Sequence, residues 1–96
     1  MYRRRSRLEI ILTILTNIRN GMNKPTRIMY AANMSWKPVQ KILSTLIEQG
    51  LIEMKMNPNS RQSRKRYMIK EKGITLLDYF DKANEIVPLE VLNAVN

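Results

Sequence analysis

Basic side chains are crowded into one short segment in the second half of the sequence. Four of them fall within six positions, among flexible Asn, Ser and Pro residues: Arg61, Arg64, Lys65 and Arg66. Like charges at this density repel one another and need a counter-surface. Guanidinium and ammonium groups pair well with phosphate oxygens, so we expect the segment to lie along a phosphate backbone or to place an arginine in a narrow minor groove. The alternative is a charge run that only keeps the chain in solution.

A second group of candidate contacts occurs earlier, at the start of a predicted helix. Its members are Ser35, Trp36, Lys37, Gln40, Lys41 and Ser44. Glutamine can pair with adenine and lysine with guanine in the major groove, while serine and the first amides of a helix suit phosphate. We therefore predict that this face reads DNA; the alternative is an ordinary solvated helix face. The single tryptophan, Trp36, could instead pack in the core or form a hydrophobic staple at the N-terminus of the helix.

A third basic group lies at the beginning of the chain. It consists of Arg3, Arg4, Arg5 and Arg7. These side chains could also contact a DNA backbone. Basic residues at the start of a helix oppose its macrodipole, and chain termini are often disordered, so the sequence leaves this contact open.

The chain contains no Cys and no His. Their absence removes disulfides, zinc fingers, thiol nucleophiles and imidazole bases together. Lys, Tyr and carboxylate side chains are present, but the sequence offers no visible arrangement of nucleophile and base. We therefore expect a protein that is not an enzyme, holds no metal or other cofactor, and has no evident small-molecule ligand.

The charge is large and unevenly distributed. The whole chain carries a net charge of +9, with 15 basic and 3 acidic residues in positions 1–70 but 2 basic and 5 acidic residues in positions 71–96. A positive surface attracts nucleic acid. Because no stretch of about 18 apolar residues could span a bilayer, we expect a soluble cytoplasmic, nucleoid-associated protein without a membrane partner.

Helix signals recur through the first half. Ser6-Arg7-Leu8-Glu9 matches a capping box and predicts a helix over residues 7–20. Pro25 suits the first turn of a short helix that ends at Ala32. Asn33-Met34 is a tight turn, after which Ser35 is expected to cap a third helix over residues 36–49. In the first helix, Ile10 and Ile14 widen the apolar stripe, which is either buried in the core or contacts a second subunit.

The second half begins with a strand pattern. Apolar and polar side chains alternate along residues 51–56, which can pair with Tyr67-Met68-Ile69 as a short hairpin. Residues 57–66 are left as a long basic loop. A last helix over residues 71–87 is stopped or kinked by Pro88. Its apolar residues, at heptad-like spacing with one neighbour alongside, are Leu76, Leu77, Phe80, Ala83 and Val87.

This order of elements predicts a mainly α fold with a small β-hairpin, namely a winged helix-turn-helix plus a C-terminal dimerisation helix. Residues 1–70 are expected to form the DNA-binding domain, with 1–5 as a basic arm. Residues 71–96 are expected to form the dimerisation helix and a tail. The short link between the second and third helices would turn the third outward, where it can enter a major groove.

Three segments carry a resemblance to a known family: residues 6–11 (SRLEII), 24–35 (KPTRIMYAANMS) and 66–73 (RYMIKEKG). Over roughly residues 6–80 the chain resembles the small basic archaeal winged-helix proteins of the Sulfolobus ten-a chromatin type. The resemblance implies a dimeric DNA-binding protein whose last helix forms an antiparallel coiled coil. Three features depart from the family. Pro88 interrupts the last helix, and Lys70 replaces a helix-capping Thr. The hairpin with its basic loop, which corresponds to the wing of the family, is longer and more basic.

These observations favour a homodimer that binds double-stranded DNA, acting either as a sequence-specific transcription regulator or as an architectural chromatin protein. The alternative is a winged-helix module that binds another protein within a transcription complex, although the positive charge of residues 1–70 argues against it. RNA binding stays open, but the few aromatic residues offer little surface for stacking on bases.

Overall fold

The computed structural model describes residues 6–59, 61, 64–88 and 90–91, and within them the chain forms four helices and one antiparallel hairpin. The elements are α1 (Arg7–Arg19), α2 (Pro25–Ala32), α3 (Trp36–Glu48), β1 (Ile52–Met56), β2 (Lys65–Ile69) and α4 (Glu71–Ile86). The predicted fold class is confirmed. Residues 1–5 of the basic arm and residues 92–96 of the tail lie outside the described part of the chain.

The helix ends follow the local chemistry of the sequence. The Ser6 hydroxyl accepts a hydrogen bond of 3.1 Å from the Glu9 N–H, as a capping box predicts. Asn33 ends α2 in the left-handed conformation, with φ 53°, which Asn tolerates better than most residues. Val87 is extended and ends α4, because a residue that precedes proline is pushed out of the helical region.

One predicted cap is present only in part. Ser35 occupies the N-cap position of α3 with extended backbone, but its side chain makes no capping hydrogen bond. The position was therefore predicted correctly and the hydrogen bond was not. An exposed hydroxyl at a helix start is left available for another acceptor or donor.

The hydrophobic core lies between the helices and the base of the hairpin. Its buried apolar residues are Ile14, Leu15, Ile18, Ile28, Ala32, Val39, Ile42, Leu43, Leu46, Ile52, Tyr67 and Leu77. Ile14 is only 1% exposed, so this part of the wide stripe of α1 belongs to the protomer's own core. Burial raises the pKa of the Tyr67 phenol, which keeps the side chain neutral in that environment.

The hairpin begins its second strand earlier than predicted. The pairs run from Ile52 opposite Ile69 to Met56 opposite Lys65, so Lys65 and Arg66 belong to β2 and not to the connecting loop. The Asn57 N–H donates to the Arg64 carbonyl oxygen and continues the ladder by one step. Pairing of the backbone thus extends into residues whose side chains carry no strand signal.

Helix α4 packs against α1 and closes the core. Leu77 is 2% exposed, so it is a core residue and not part of an exposed stripe. A Cβ added at Gly73 would collide with the Leu51 carbonyl oxygen and lie 2.8 Å from Cγ1 of Ile69. Helix α4 is thereby held directly on the hairpin. Within the described ranges, none of the helices is long and apolar enough to cross a membrane.

Candidate nucleic-acid interface

The exposed face of α3 brings the predicted readers together. Lys37, Gln40, Lys41 and Ser44 are all exposed, while the opposite face of the helix is buried through Val39, Ile42, Leu43 and Leu46. Helical spacing explains the separation, because the two sets differ by about half a turn. No acidic residue occurs in α3 before Glu48. The face is therefore positive and rich in hydrogen-bond donors along its first two turns.

An open groove of about 810 Å³ runs between this face and the start of α1. Its apolar lining comes from Ile10, Met34, Pro38 and Ile42, and its polar lining from Arg7, Lys37, Gln40, Lys41 and Ser44. Arg7 is the member of the predicted basic arm that the structure describes, and it lies on the same side as the α3 readers. Arg3, Arg4 and Arg5 lie outside the described residues.

Trp36 behaves differently from its neighbours. It is half-buried and packs against the core cluster, in agreement with the alternative that it helps to hold the start of α3. Large aromatic side chains contribute strongly to packing when buried. Trp36 is thus held against the core, next to the exposed Ser35 and Lys37 at the start of α3.

The four basic residues of the predicted loop divide into two pairs. Arg61 and Arg64 are exposed and lie in the connecting loop, whereas Lys65 and Arg66 are half-buried members of β2. The Arg66 guanidinium donates to the Lys65 carbonyl oxygen at 2.8 Å. The two loop residues are therefore more exposed than the two strand residues, which supply charge along the hairpin.

The hairpin register adds a basic residue that the sequence did not single out. Lys55 lies directly opposite Arg66, and its Nζ is 3.5 Å from a carboxylate oxygen of Glu53. Like charges directly opposite one another destabilise a sheet, and the Glu53 carboxylate beside Lys55 offsets part of this repulsion. The position of Lys55 beside Arg66 follows from the pairing of residues 52–56 with 65–69. That pairing could be predicted only if the start of β2 were known.

Helix α2 supplies two further residues that sequence reasoning missed. Arg27 and Tyr30 are both exposed, Tyr30 to 76%. They lie three residues apart and hence on one face of the helix. A guanidinium and a phenol hydroxyl can both donate hydrogen bonds to phosphate oxygens, so these two side chains are further candidate contacts. Helical periodicity could have found both residues, because it places them on a different face from the apolar Ile28, which is buried.

Helix α4 has a different chemistry. It carries Asp78, Asp81 and Glu85 on its exposed surface, and the Asp81 carboxylate lies 3.5 Å from the Arg19 guanidinium of α1. The predicted stripe of Leu76, Phe80, Ala83 and Val87 is half-buried. Two apolar residues outside that stripe are far more exposed, Tyr79 at 68% and Ile86 at 88%.

No His, Cys, Asp or Glu cluster that could hold a metal ion occurs within the described ranges. The exposed polar side chains on α3 and the hairpin are mainly cations and hydrogen-bond donors. Such groups bind phosphates and base edges. The arrangement offers recognition of a polyanion.

Comparisons with known proteins agree with the fold. The chain is 44% identical over 50 residues to the uncharacterized protein MJ0287 of Methanocaldococcus jannaschii, which covers 52% of this chain and 52% of that protein. The chain thus matches about half the length of that relative. The crystal structure of Sso10a-2, a DNA-binding protein from Sulfolobus solfataricus, has a TM-score of 0.68 and 26% identity, covering 96% of this chain and 98% of that one.

A second solved structure shares the fold alone. The MarR family transcription regulator SP03579 has a TM-score of 0.69 and 22% identity, covering 88% of this chain and 56% of that one. The resemblance to the archaeal winged-helix proteins of the ten-a type is confirmed by the match to Sso10a-2. A family model described as winged helix-turn-helix matches residues 4–87. The chain therefore belongs to the winged helix-turn-helix family.

Proposed function

We propose that the protein is a homodimer that binds double-stranded DNA, with α3 in the major groove and the wing, residues 52–69, on the flanking backbone. One observation carries the proposal: the exposed face of α3 and the hairpin both present basic side chains, and no acidic residue occurs between positions 54 and 70. An α-helix fits the width of the major groove. Base contacts are assigned to Lys37, Gln40 and Lys41, and backbone contacts to Ser35, Ser44 and the wing.

The distribution of charge supports different functions for the two parts of the chain. The net positive charge resides in residues 1–70, and residues 71–96 are net acidic. An acidic helix is repelled by phosphates, so α4 faces away from the DNA. Residues 1–70 therefore bind DNA and residues 71–96 serve the dimer.

The comparisons support the same class of function. Sso10a-2 is described as a DNA-binding protein, and SP03579 as a transcription regulator. Both share the winged-helix fold with this chain. A role in transcription regulation, exercised from a DNA-bound dimer, fits these neighbours.

The dimer contact is assigned to one seam of α4. Leu76, Tyr79, Ala83 and Ile86 follow 3-4-3 spacing, the pattern of helices that pack side by side. The sequence-based stripe used Phe80 and Val87 in place of Tyr79 and Ile86. These two are half-buried in the protomer, whereas Tyr79 and Ile86 are exposed and are therefore the better contacts for a second copy.

DNA binding of this kind predicts a strong dependence on salt. A protein that neutralises roughly six to ten phosphates loses about 10³-fold or more in affinity between about 50 and 200 mM salt, with a log–log slope of about −0.9 per phosphate. Fluorescence anisotropy on a labelled duplex measures the slope. Substituting Arg61 and Arg64 together with Ala is expected to reduce its magnitude by about two.

The matched control for that experiment is Lys82→Ala on α4, which removes an exposed cation from the face turned away from DNA. Its salt slope should equal that of the unchanged protein. A salt-independent affinity, or one stoichiometric protein partner with no binding to any duplex, contradicts the proposal and favours the protein-interaction module.

The seam on α4 predicts that a charge at Ile86 dissociates the dimer. Ile86→Lys places a cation at a position that is 88% exposed in the protomer, so folding is unaffected and only the contact is lost. Sedimentation equilibrium should give twice the chain mass of 11.3 kDa for the unchanged protein and one chain mass for the variant. Ile74→Lys, on the same helix outside the seam, should remain dimeric. A monomeric unchanged protein contradicts this part of the proposal.

A further inference from the structure

One face of the hairpin carries apolar side chains beyond the edge of the core. Met54 pairs with Tyr67 and Met56 with Lys65, and because side chains alternate along a strand these residues share the face of the buried Ile52. Tyr67 is 4% exposed, Met54 39% and Met56 58%. The core on this face thus ends at Ile52 and Tyr67, and Met54 and Met56 lie past it along β1.

The charged residues in the sequence that follows Met54 are all basic up to Lys70. Residues 54–70 contain no acidic residue and six basic ones: Lys55, Arg61, Arg64, Lys65, Arg66 and Lys70. Arg61 and Arg64 are exposed in the segment that connects β1 to β2. Lys65 lies directly opposite Met56 and therefore on the same face, whereas Lys55 and Arg66 lie on the other face of the hairpin. An apolar side chain flanked by cations suits a target whose apolar surface lies between phosphates. In a DNA groove, the faces of stacked bases lie between two rows of phosphates.

We infer that Met56 is a wedge that inserts between base steps from the minor groove and bends the duplex. The inference rests on the proposed DNA binding. Apolar side chains, methionine among them, unstack base steps in this way and kink DNA toward the major groove. The unbranched thioether side chain adapts to irregular gaps, and the cations around it hold the phosphates on either side.

The hairpin contains a matched comparison for Met56. Met68 is 47% exposed, but it lies on the other face of the hairpin, opposite Glu53 and close to the base. A carboxylate beside it opposes contact with phosphates. Met68 therefore has similar exposure and chemistry without a position suited to a DNA groove.

Ligase-catalysed cyclisation of a DNA fragment of about 100 base pairs tests the inference, because a fragment shorter than the persistence length of roughly 150 base pairs closes only when it is bent. The unchanged protein is expected to accelerate ring closure about tenfold or more. Met56→Ser should abolish the acceleration, while Met56→Leu, which keeps an apolar side chain of similar volume, and Met68→Ser should retain it.

The affinity of each variant for the same fragment is measured in parallel. Binding by Met56→Ser with an unchanged salt slope but without ring closure supports the wedge. Equal closure by Met56→Ser and the unchanged protein, or binding of the unchanged protein without any closure, overturns the wedge and leaves DNA binding intact. Absence of binding by every variant, including the unchanged protein, overturns the proposed function and the wedge together.

Discussion

Substituting Lys37 and Lys41 together with Glu is expected to lower the affinity for duplex DNA by about 100-fold to 1,000-fold at low salt, since each base or phosphate contact is worth about 1–3 kcal/mol. The two lysines lie one turn apart on the exposed face of α3, so the proposed docking of α3 brings both into the groove together. The new carboxylates also repel the phosphates. Both positions are exposed, and the fold should therefore be retained.

The measurement is fluorescence anisotropy with a labelled duplex, accompanied by circular dichroism to establish that the variant is folded. Lys82→Glu on α4 is the control, because it causes the same change of charge per residue at an exposed position away from α3. We expect it to weaken binding less than about threefold, through the overall field alone. A loss as large as that of the α3 variant would mean that binding depends on net charge and not on the face of α3.

The second large effect concerns stability. Gly73→Ala is expected to lower the free energy of unfolding by about 3 kcal/mol, which for a domain of this size reduces the Tm by about 12 °C or more. The added Cβ would collide with the Leu51 carbonyl oxygen and come within 2.8 Å of Cγ1 of Ile69. Neither neighbour is the free end of a flexible side chain, so α4 must move away from the hairpin.

Gly50→Ala provides the comparison. Gly50 has φ +74°, but no atom lies within 4 Å of an added Cβ, so the only cost is the left-handed backbone, about 1–2 kcal/mol. Thermal and urea denaturation of both variants separate steric collision from backbone strain. If Gly73→Ala were as stable as the unchanged protein, the close packing of α4 on the hairpin would be refuted.

Local sequence signals predicted the helices well. The capping box at Ser6, the proline that opens α2 and the turn at Asn33 each act through the backbone of their own segment, and a local signal is sufficient for such features. The element order then followed, and with it the fold class. The exposed face of α3 was predicted for the same reason, since helical periodicity alone separates it from the buried residues.

The features that the sequence did not predict depend on contacts between segments. The start of β2 at Lys65 follows from cross-strand pairing with Met56, whereas basic residues carry no strand preference of their own. Periodicity placed Phe80 and Val87 on an apolar stripe, but which side of that stripe packs on α1 is decided by tertiary packing. In the sequence, Gly73 is only a residue of low helix propensity. Glycine is required there because an added Cβ would lie too close to Ile69.

Only Lys70 separates β2 from α4, and its N–H donates a 3.0 Å hydrogen bond to the Leu51 carbonyl oxygen. With Gly73 also packed on the hairpin, there is no linker between the proposed DNA-binding unit and the proposed dimer helix. The two recognition helices of a dimer would then stand at a fixed distance and angle. Such a protein discriminates paired sites by their spacing, accepting those separated by whole turns of the duplex and rejecting half-turn insertions.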